Sequence, residues 1–261
     1  MMQQAFHVSA IGAAGAGIAG WPDLNRVLNE PAGYAPVMTE ATTSLLSAAE
    51  KRRASVLTRL VLAAAEQACP VPPPGLGAVF VSNTGDGATT HAICASLAVP
   101  QAEVSPTRFT NSVHNAAAAY WSIALRNTAT TTSMSGGENG FSAGLIEAWL
   151  MMRQSNAPIM LVAYDAPFPF PFFDRVPVRH ALALALILSP CGQGQGQGPG
   201  WRLALGDEPA DALPTMLSRH FDHHVCAPGL VWLAAHGRHA PRRAVLPYLD
   251  HLAVVLEPTD A

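Results

Sequence analysis

The sequence predicts an α/β fold in which a mixed sheet is covered by helices. Short runs of apolar and β-branched residues have the composition of buried strands, and the segments between them repeat apolar residues at helical spacing. Strands that alternate with helices along a chain are typical of α/β domains. With 261 residues, of which 49% are hydrophobic and 13% charged, the chain is long and apolar enough to bury a sizeable core.

The first predicted strand, residues 6–12, is apolar and runs into a glycine-rich turn. The turn sequence GAAGAGIAG suggests a nucleotide-binding loop, but its spacing matches neither GxGxxG nor GxxxxGK(S/T). Residues 39–69 repeat apolar side chains at helical spacing and predict one long helix or two shorter ones. Residues 76–83 have the composition of a central strand, which ends in a turn at 84–87 and is followed by a helix to about Leu97.

The middle of the chain continues this alternation. Asn111 or Ser112 is a good cap for a helix that runs to Arg126, and the glycines at 136–137 predict a tight turn from a strand into a helix. The prolines of APFPFPFF, residues 166–173, exclude a regular element there. The predicted elements are, in order, helix 111–126, strand 129–135, helix 138–152, strand 159–164 and strand 181–188.

Composition and charge exclude several classes of function. A net charge of -3 and a pI near 6.3 provide no basic surface for nucleic acid or for an anionic membrane. The N-terminal segment lacks a cationic start and glycines interrupt its apolar run, so we expect a cytoplasmic protein without a signal peptide or membrane span. The low charge also predicts an oligomer, because another subunit would cover apolar surface.

The four cysteines give no sign of a cross-link or a metal cage. Cys69, Cys94, Cys191 and Cys226 are widely spaced and form no CxxC pair. Disulfide frameworks and zinc sites both need closer or paired cysteines. We therefore expect reduced thiols.

Two segments carry a resemblance to a known family. They are SPTRFTNSVHNAAAAYWSIALRNTATTTSMSGGENG at residues 105–140 and RRASVLTRLVLAAAEQA at residues 52–68. The first combines Ser-Pro, an asparagine before a small-residue helix, and a strand that leads into a glycine turn. This order resembles the β-ketoacyl synthases, in which such a strand delivers the catalytic cysteine into the turn. The resemblance extends over residues 6–188 and implies a thiolase-like fold, mainly its N-terminal half.

The resemblance places Glu138 at the position of the nucleophilic cysteine, counting from Asn115 without a gap. A thiol at a helix N-terminus has a lowered pKa because of the helix dipole and the free amides, which also form an oxyanion site. A glutamate is stabilised by the same dipole but is a poor acyl acceptor. The two catalytic histidines of the family, in Gly-Thr and Asn-x-x-Gly contexts, have no counterpart after Leu188. We therefore assign no catalytic residue. The alternative is that Glu138 caps a helix in an unrelated α/β protein.

The chain is similar to the short homologues that consist of the N-terminal synthase domain and occur with aryl polyene and type II polyketide gene sets. Such homologues look like chain-length factors. The resemblance implies a non-catalytic subunit of polyene, polyketide or fatty-acid-type biosynthesis that forms a heterodimer with a complete β-ketoacyl-ACP synthase. That subunit would shape the acyl tunnel of its partner, reach the acyl carrier protein (ACP) through the partner, and need no cofactor.

The same resemblance suggests how the chain is divided. Residues 1–190 would form the synthase-like half, and the Gly/Gln-rich segment 191–200 would be a linker or loop. Residues 201–261 would form a reduced remainder that packs on the same domain.

In these synthases, the helix that corresponds to 111–126 lies at the dimer interface and limits how far the acyl chain extends. The residues that the resemblance assigns to the tunnel or the interface are Phe109, Asn111, Val113, Asn115, Ala116, Ala117 and Tyr120. Small side chains at positions 116 and 117 would leave room for a long, flat polyene. The alternative is that these residues are ordinary helix core.

Two other functions stay open from the sequence. One is a malonyl-ACP decarboxylase, since relatives without the cysteine can keep this activity. The missing histidines argue against it, because the enolate oxygen would lack its hydrogen-bond donors. The other is a scaffold module that binds ACP.

Two groups of polar residues have weaker functional interpretations. The segment RHFDHHVCAPG has the residue types of a metal site, but the spacing matches no established zinc pattern, so we expect a partly exposed helix end and no metal. Its candidate ligands are His220, Asp222, His223, His224 and Cys226. Asp165 and Asp174 could form ion pairs with Arg175 or Arg179, or act as a catalytic carboxylate pair.

Overall fold

The computed structural model describes residues 4–38, 40–192, 199–237 and 241–259. The strands are β1 (Phe6–Gly15), β2 (Gly77–Val81), β3 (Thr131–Met134), β4 (Ile159–Asp165), β5 (Leu182–Pro190), β6 (Gly200–Gly206), β7 (Ala244–Leu249) and β8 (Leu252–Thr259). The helices are α1 (Trp21–Asn29), α2 (Ala48–Arg53), α3 (Val56–Ala68), α4 (Gly87–Leu97), α5 (Pro106–Asn111), α6 (Ala116–Ala124), α7 (Gly140–Ser155), α8 (Thr215–Phe221) and α9 (Ala227–His236). Short 3-10 turns occur at Pro31–Gly33 and Gly137–Asn139.

All these strands join one mixed sheet in the order β3-β2-β4-β5-β1-β6-β8-β7. Strands β3, β2 and β4 are parallel, whereas β5 runs antiparallel to β4 and to β1. The C-terminal strands β6, β8 and β7 are also antiparallel to their neighbours. The carboxyl ends of β2, β3 and β4 therefore meet at one edge, where α/β proteins commonly place functional groups.

Helices cover both faces of the sheet. Alternate residues of β4 point to opposite faces, so that Leu161 packs with the α1, α7 and α9 side while Val162 packs with α3 and α6. We call these the α7 face and the α3 face. A strand buried on both faces needs apolar residues at every position, which explains the continuous apolar runs of β2, β4 and β5.

The glycine-rich segment near the N-terminus serves helix packing. Strand β1 extends through Gly15, beyond the predicted end at residue 12. A Cβ atom at Gly12 would lie 2.0 Å from the carbonyl oxygen of Ala64, because α3 lies directly on β1 at this point. This glycine therefore lets a helix approach the sheet closely.

The predicted helix 111–126 is wrong, because the structure divides this region into α5 and α6. Ser105 caps α5 by accepting a hydrogen bond from the backbone N–H of Arg108, and Pro106 occupies the first turn. Residues 112–115 between the helices are fixed by a contact with the end of β2. The His114 ring forms a hydrogen bond with the carbonyl of Ser82 at 2.9 Å. The Asn111 side chain likewise donates to the Arg53 carbonyl at 2.6 Å.

Other element boundaries in the structure also differ from the predicted ones. Residues 40–47 are not helical, while Ser47 and Ser55 cap the separate helices α2 and α3; Thr39 lies outside the described residues. The helix predicted from residue 138 begins at Gly140, after the 3-10 turn. Of the predicted loop 191–200, residues 193–198 lie outside the described residues. No helix in the described parts of the chain has the length and apolar character needed to cross a membrane.

The C-terminal strands meet the rest of the sheet at a narrow junction. Among the described residues, two pairs connect β1 and β6, Phe6 with Trp201 and His7 with Gly200. Aromatic side chains reinforce this junction on the α7 face. The Trp232 ring of α9 lies 6.0 Å from Phe6, 5.6 Å from Trp201 and 6.5 Å from Phe141 of α7.

Candidate functional site

Glu138 lies at the carboxyl edge of the sheet, just after β3. The chain turns sharply here because Gly137 adopts a left-handed conformation with φ of +64°, which glycine tolerates well. Glu138 precedes the 16-residue helix α7 by two positions. The positive end of the helix dipole therefore favours its carboxylate. The side chain is exposed, so solvent and other molecules can reach it.

The N-terminus of α7 is tightly held between β2 and the segment that connects α8 to α9. A Cβ atom at Gly140 would lie 2.9 Å from Val225 and 3.1 Å from Val81. At Gly144 it would lie 2.3 Å from Val81. These close approaches fix the position of the turn that carries Glu138.

His223, from the α8–α9 connection, is the direct partner of Glu138. Its Nδ1 atom lies 2.9 Å from Oε1 of the carboxylate. Both side chains are about half exposed, at 49% for His223 and 54% for Glu138. An exposed pair of this kind contributes about 0.2–1 kcal/mol to stability. The contact therefore contributes little to the stability of the fold.

Behind this exposed pair, Asp165 connects the ends of β4 and β2. Its Oδ1 atom accepts hydrogen bonds from the Ser82 hydroxyl at 2.7 Å, the Asn83 amide at 3.1 Å, and the Thr84 amide and hydroxyl at 3.0 and 2.9 Å. Asp165 is 0% exposed, and its Oδ2 atom has no hydrogen-bond partner among the described residues. The carboxylate uses these bonds instead of an ion pair with Arg175 or Arg179.

His224 and Cys226 extend this buried network. The His224 Nε2–H donates to the Asp165 carbonyl at 3.2 Å, while Nδ1 accepts from the Cys226 amide at 3.0 Å. Both ring nitrogens are thus used by the neutral form. Burial lowers the pKa of His224, although the Asp165 charge acts in the opposite direction. The sequence-based expectation of partial exposure is wrong for this residue, which is only 1% exposed.

The Cys226 thiol is buried next to His224. Its Sγ atom donates to the Ala163 carbonyl at 3.2 Å, and burial, aided by the Asp165 charge, raises the pKa of the thiol well above its ordinary range. A thiol in this environment is protonated and is a poor nucleophile.

The histidine-rich segment therefore divides its residues among separate contacts. His220 bonds His180 at 3.0 Å between Nδ1 and Nε2, away from the Glu138 contact of His223. Across the described ranges, no group of three or more His, Cys, Asp or Glu side chains could hold a metal ion.

The residues predicted for the tunnel or interface differ in their exposure to solvent. Phe109 and Val113 are 65% and 48% exposed, and Asn115 is also exposed, whereas Tyr120 is half-buried. The other predicted residues, Asn111, Ala116 and Ala117, are buried. Ala117 packs in the core of the α3 face.

Comparisons with known proteins place this architecture in a family. The profile described as "Beta-ketoacyl synthase, N-terminal domain" matches residues 22–224. A comparison with curated proteins found no match. The profile match and the structural comparisons below confirm the resemblance read from the sequence and the predicted thiolase-like fold.

Three solved structures illustrate the likeness. A chain of the ketosynthase ApeO in complex with its chain length factor ApeC, from Xenorhabdus doucetiae, is 20% identical with a TM-score of 0.75, over 97% of this chain and 98% of that one. A chain of AntDE:AntF, a type II PKS acyl-carrier protein in complex with its ketosynthase bound to the hexaketide, is 10% identical with a TM-score of 0.74, over 100% of both chains. The ishigamide ketosynthase/chain length factor is 12% identical with a TM-score of 0.62, over 78% of this chain and 67% of that one.

Identities this low establish a common fold and nothing finer, whereas the profile match covers most of the chain. Strands β2 to β6, the turn at Glu138 and the helix that follows it lie within the matched region. The chain therefore belongs to the β-ketoacyl synthase family, through its N-terminal domain.

Proposed function

We propose that this chain is a non-catalytic, chain-length-factor-like subunit that forms a heterodimer with a complete β-ketoacyl-ACP synthase and shapes its acyl tunnel. The observation that carries the proposal is Glu138, an exposed carboxylate in the turn after β3, the position at which the sequence resemblance places the family's nucleophilic cysteine. A carboxylate there is stabilised by the helix dipole but does not form the thioester that condensation requires. The nearby thiol of Cys226 is buried and protonated, so it does not replace the missing nucleophile.

An uncovered surface supports the need for a partner. Helix α4, with the sequence GATTHAICASL, contains no Asp, Glu, Lys or Arg, and of its 11 residues only Gly87 is buried. Leu97 at its end is 67% exposed. Helix α4 contacts α5, where Phe109 is 65% exposed, and in α6 Ile123 is 68% exposed. Uncharged apolar surface of this extent is typical of an interface.

The edge of the sheet lies next to this surface. Strand β3 contacts α6 and pairs with β2 alone among the described strands, so its outer side carries unpaired backbone groups. Natural proteins protect such an edge with charge, with a covering element, or by pairing it with another chain. Strand β3 is uncharged and its four residues are partly exposed, which favours pairing with another chain.

The neighbouring structures support a ketosynthase as that partner, because two of them are described as a ketosynthase with its chain length factor. The partner would supply the cysteine and the histidines and would receive the acyl carrier protein. Phe109 and Val113 would face the partner directly, with Ala116, Ala117 and Tyr120 behind them. Asn111, whose side chain donates to the Arg53 carbonyl, would hold α5 in place, and the exposed Asn115 would lie at the interface. Bulky side chains at positions 116 or 117 should then shorten the product.

The direct test is co-expression with the ketosynthase from the same gene neighbourhood, followed by size-exclusion chromatography with mass determination. We expect a stable one-to-one complex. Ile123→Asp should abolish it, because a charge would be buried at the interface. Leu249→Asp is the matched control, since Leu249 is 57% exposed but is the last residue of β7, at the opposite edge of the sheet. A chain that stays monomeric beside the ketosynthase would contradict the proposal and favour a carrier-binding scaffold.

A second candidate function, malonyl-ACP decarboxylation, is favoured by one observation. The sequence lacks the motifs that carry the two catalytic histidines of the family, yet the structure places His223 2.9 Å from Glu138. An imidazole here could donate a hydrogen bond to a developing enolate. Carbon dioxide released from malonyl-ACP by the chain alone would support this function, provided that His223→Gln abolishes the release. The chain-length-factor proposal expects no release without the partner.

A further inference from the structure

A loop rich in phenylalanine leaves the sheet after β4. We call residues 166–176 the Phe loop, and its first eight residues, APFPFPFF, carry no charge. Its aromatic side chains lie largely in solvent, since Phe170, Phe172 and Phe173 are 84%, 50% and 43% exposed. Clustered apolar surface of this kind commonly marks a site of interaction with another molecule.

The Phe loop is held in one shape by its own contacts. The Phe172 amide donates to the Pro169 carbonyl at 3.0 Å, and the Phe172 carbonyl accepts the amides of Arg175 and Val176 at 2.9 and 3.0 Å. The Phe168 ring lies 6.2 Å from the Phe172 ring, at an interplanar angle of 76°. Prolines at positions 167, 169 and 171 restrict the backbone further. A surface that is ordered in advance loses little conformational entropy on binding.

The Phe loop continues the uncovered surface of α4. A Cβ atom at Gly87, the first residue of α4, would lie 2.8 Å from atoms of the Phe168 ring. The absence of a side chain at this glycine therefore lets the ring lie directly on the helix. Since α4 carries no charged residue, the loop and the helix together form one uncharged, largely apolar surface.

The exposed area of the Phe loop is a substantial part of what a protein interface needs. A phenylalanine side chain buries about 150–250 Å² in an interface. By their exposed fractions, the three rings together offer roughly 250–450 Å². A specific interface buries about 800 Å² on each partner. The loop would thus provide about a third to a half of one side, with α4 and the edge strand β3 adding the remainder.

The charge around the Phe loop favours a protein partner over a lipid surface. Asp174 and Arg175 are exposed neighbours of opposite charge. A loop that binds an anionic membrane is typically accompanied by several lysines or arginines, and the whole chain has a net charge of -3. Aromatic side chains in a nearly neutral surface are instead typical of the centre of a protein interface.

We propose that the Phe loop is an anchor of the heterodimer, in which Phe170, Phe172 and Phe173 insert into an apolar pocket of the ketosynthase beside its contact with α4. This inference rests on the proposed subunit function, because the ketosynthase is the occupant of the surface. It assigns the anchor to residues outside the set predicted for the tunnel or interface. A few aromatic residues of this kind usually carry most of the binding energy of an interface.

The first test is a competition within one culture. Wild-type and Phe170→Ser chains are co-expressed with a limiting amount of tagged ketosynthase, and intact mass spectrometry gives their ratio in the captured complex and in the soluble fraction. We expect the variant to be depleted at least about tenfold in the complex. Phe170→Ser should melt at the wild-type temperature when it is free, because the ring lies in solvent.

Val71→Ser is the matched control for this competition. Val71 is 86% exposed, so its side chain is as accessible as that of Phe170. It precedes β2, whose amino end pairs with the start of β4, whereas the Phe loop follows the end of β4. We therefore expect Val71→Ser to enter the complex at the same ratio as the wild type.

A photo-cross-linker tests the contact directly. The variant Phe170→p-benzoylphenylalanine should attach to the ketosynthase on irradiation of the complex, and Val71→p-benzoylphenylalanine should not. Denaturing electrophoresis and peptide mass mapping identify the attached chain. Absence of a cross-link from position 170 in an intact complex would overturn the inference.

The outcomes separate this inference from the subunit function. A complex that takes up Phe170→Ser at the wild-type ratio would overturn the anchor and leave the subunit function standing. That ratio, combined with self-association that depends on Phe170, would assign the loop to a second copy of the chain. Combined with Phe170-dependent sedimentation on phosphatidylcholine and phosphatidylglycerol vesicles, it would assign the loop to a lipid surface. A wild-type chain that forms no complex with the ketosynthase would overturn both proposals.

Discussion

The Nδ1 atom of His223 lies 2.9 Å from Oε1 of Glu138, although 85 positions separate the two residues in the chain. The contact brings the connection between α8 and α9 onto the turn that precedes α7. Because both side chains are about half exposed, the pair is accessible to a partner and contributes little to folding.

Glu138→Gln and His223→Gln should therefore leave the fold intact. We expect each variant to change the free energy of unfolding by less than about 1 kcal/mol, as measured by chemical denaturation. A loss of several kcal/mol in either variant would mean that the pair is structural.

Replacing Asp165 should be far more damaging. Asp165→Ala leaves two backbone amides and two hydroxyls without their acceptor, so unfolding should require at least about 3 kcal/mol less free energy. Asp174→Ala, at an exposed position, is the control and should change stability by less than about 0.5 kcal/mol. Comparable effects of the two changes would contradict the anchoring role of Asp165.

His224 should make stability depend on pH. The unfolded chain binds a proton on this ring below its ordinary pKa of 6.5, whereas burial lowers the pKa in the folded chain. The fold is therefore fully stabilised above pH 6.5 and loses stability as the pH falls through 6.5 towards the lowered value, by up to about 1.4 kcal/mol per pH unit.

His224→Asn should flatten this part of the profile when unfolding free energy is measured between about pH 5 and 8. Burial also lowers the pKa of His7, His180 and His236, so the comparison rests on the difference between variant and wild type. His251→Asn, which removes an exposed ring, is the control for the substitution itself.

Cysteine labelling offers a footprint of the proposed interface. In the free chain, a thiol reagent should modify the exposed Cys94 of α4 and the exposed Cys191, whereas buried Cys226 should react only after unfolding. In the complex with the ketosynthase, Cys94 should be protected and Cys191 should not. Equal labelling of Cys94 with and without the partner would exclude α4 from the interface.

Gly12 should not tolerate a side chain. A methyl group there would meet the Ala64 carbonyl at 2.0 Å, so Gly12→Ala should destabilise the fold by about 1–3 kcal/mol in a denaturation experiment. Gly33→Ala is the control, because nothing lies within 4 Å of the added carbon. Similar melting curves for the two variants would show that α3 can move away from β1.

The sequence predicted best those elements that depend on local pattern. The uninterrupted apolar runs of β2 and β4 identified central strands, and the glycines before Glu138 identified the turn. The break between α5 and α6 was missed because it depends on the contact of His114 with Ser82, which no local signal records. The buried state of His224 was missed for the same reason, since its acceptor belongs to Asp165, 59 positions away.

The narrow contact between β1 and β6 has a consequence for how the molecule unfolds. With two residue pairs in the described part of this ladder, backbone hydrogen bonds alone would let the C-terminal strands open as a separate unit. The Trp232 ring instead touches Phe6, Trp201 and Phe141, which belong to elements on both sides of the junction. Cooperativity between the two ends of the chain thus depends on side-chain packing across the junction, this aromatic cluster included, and amide hydrogen exchange in β6 and β8 reports on whether that packing is intact.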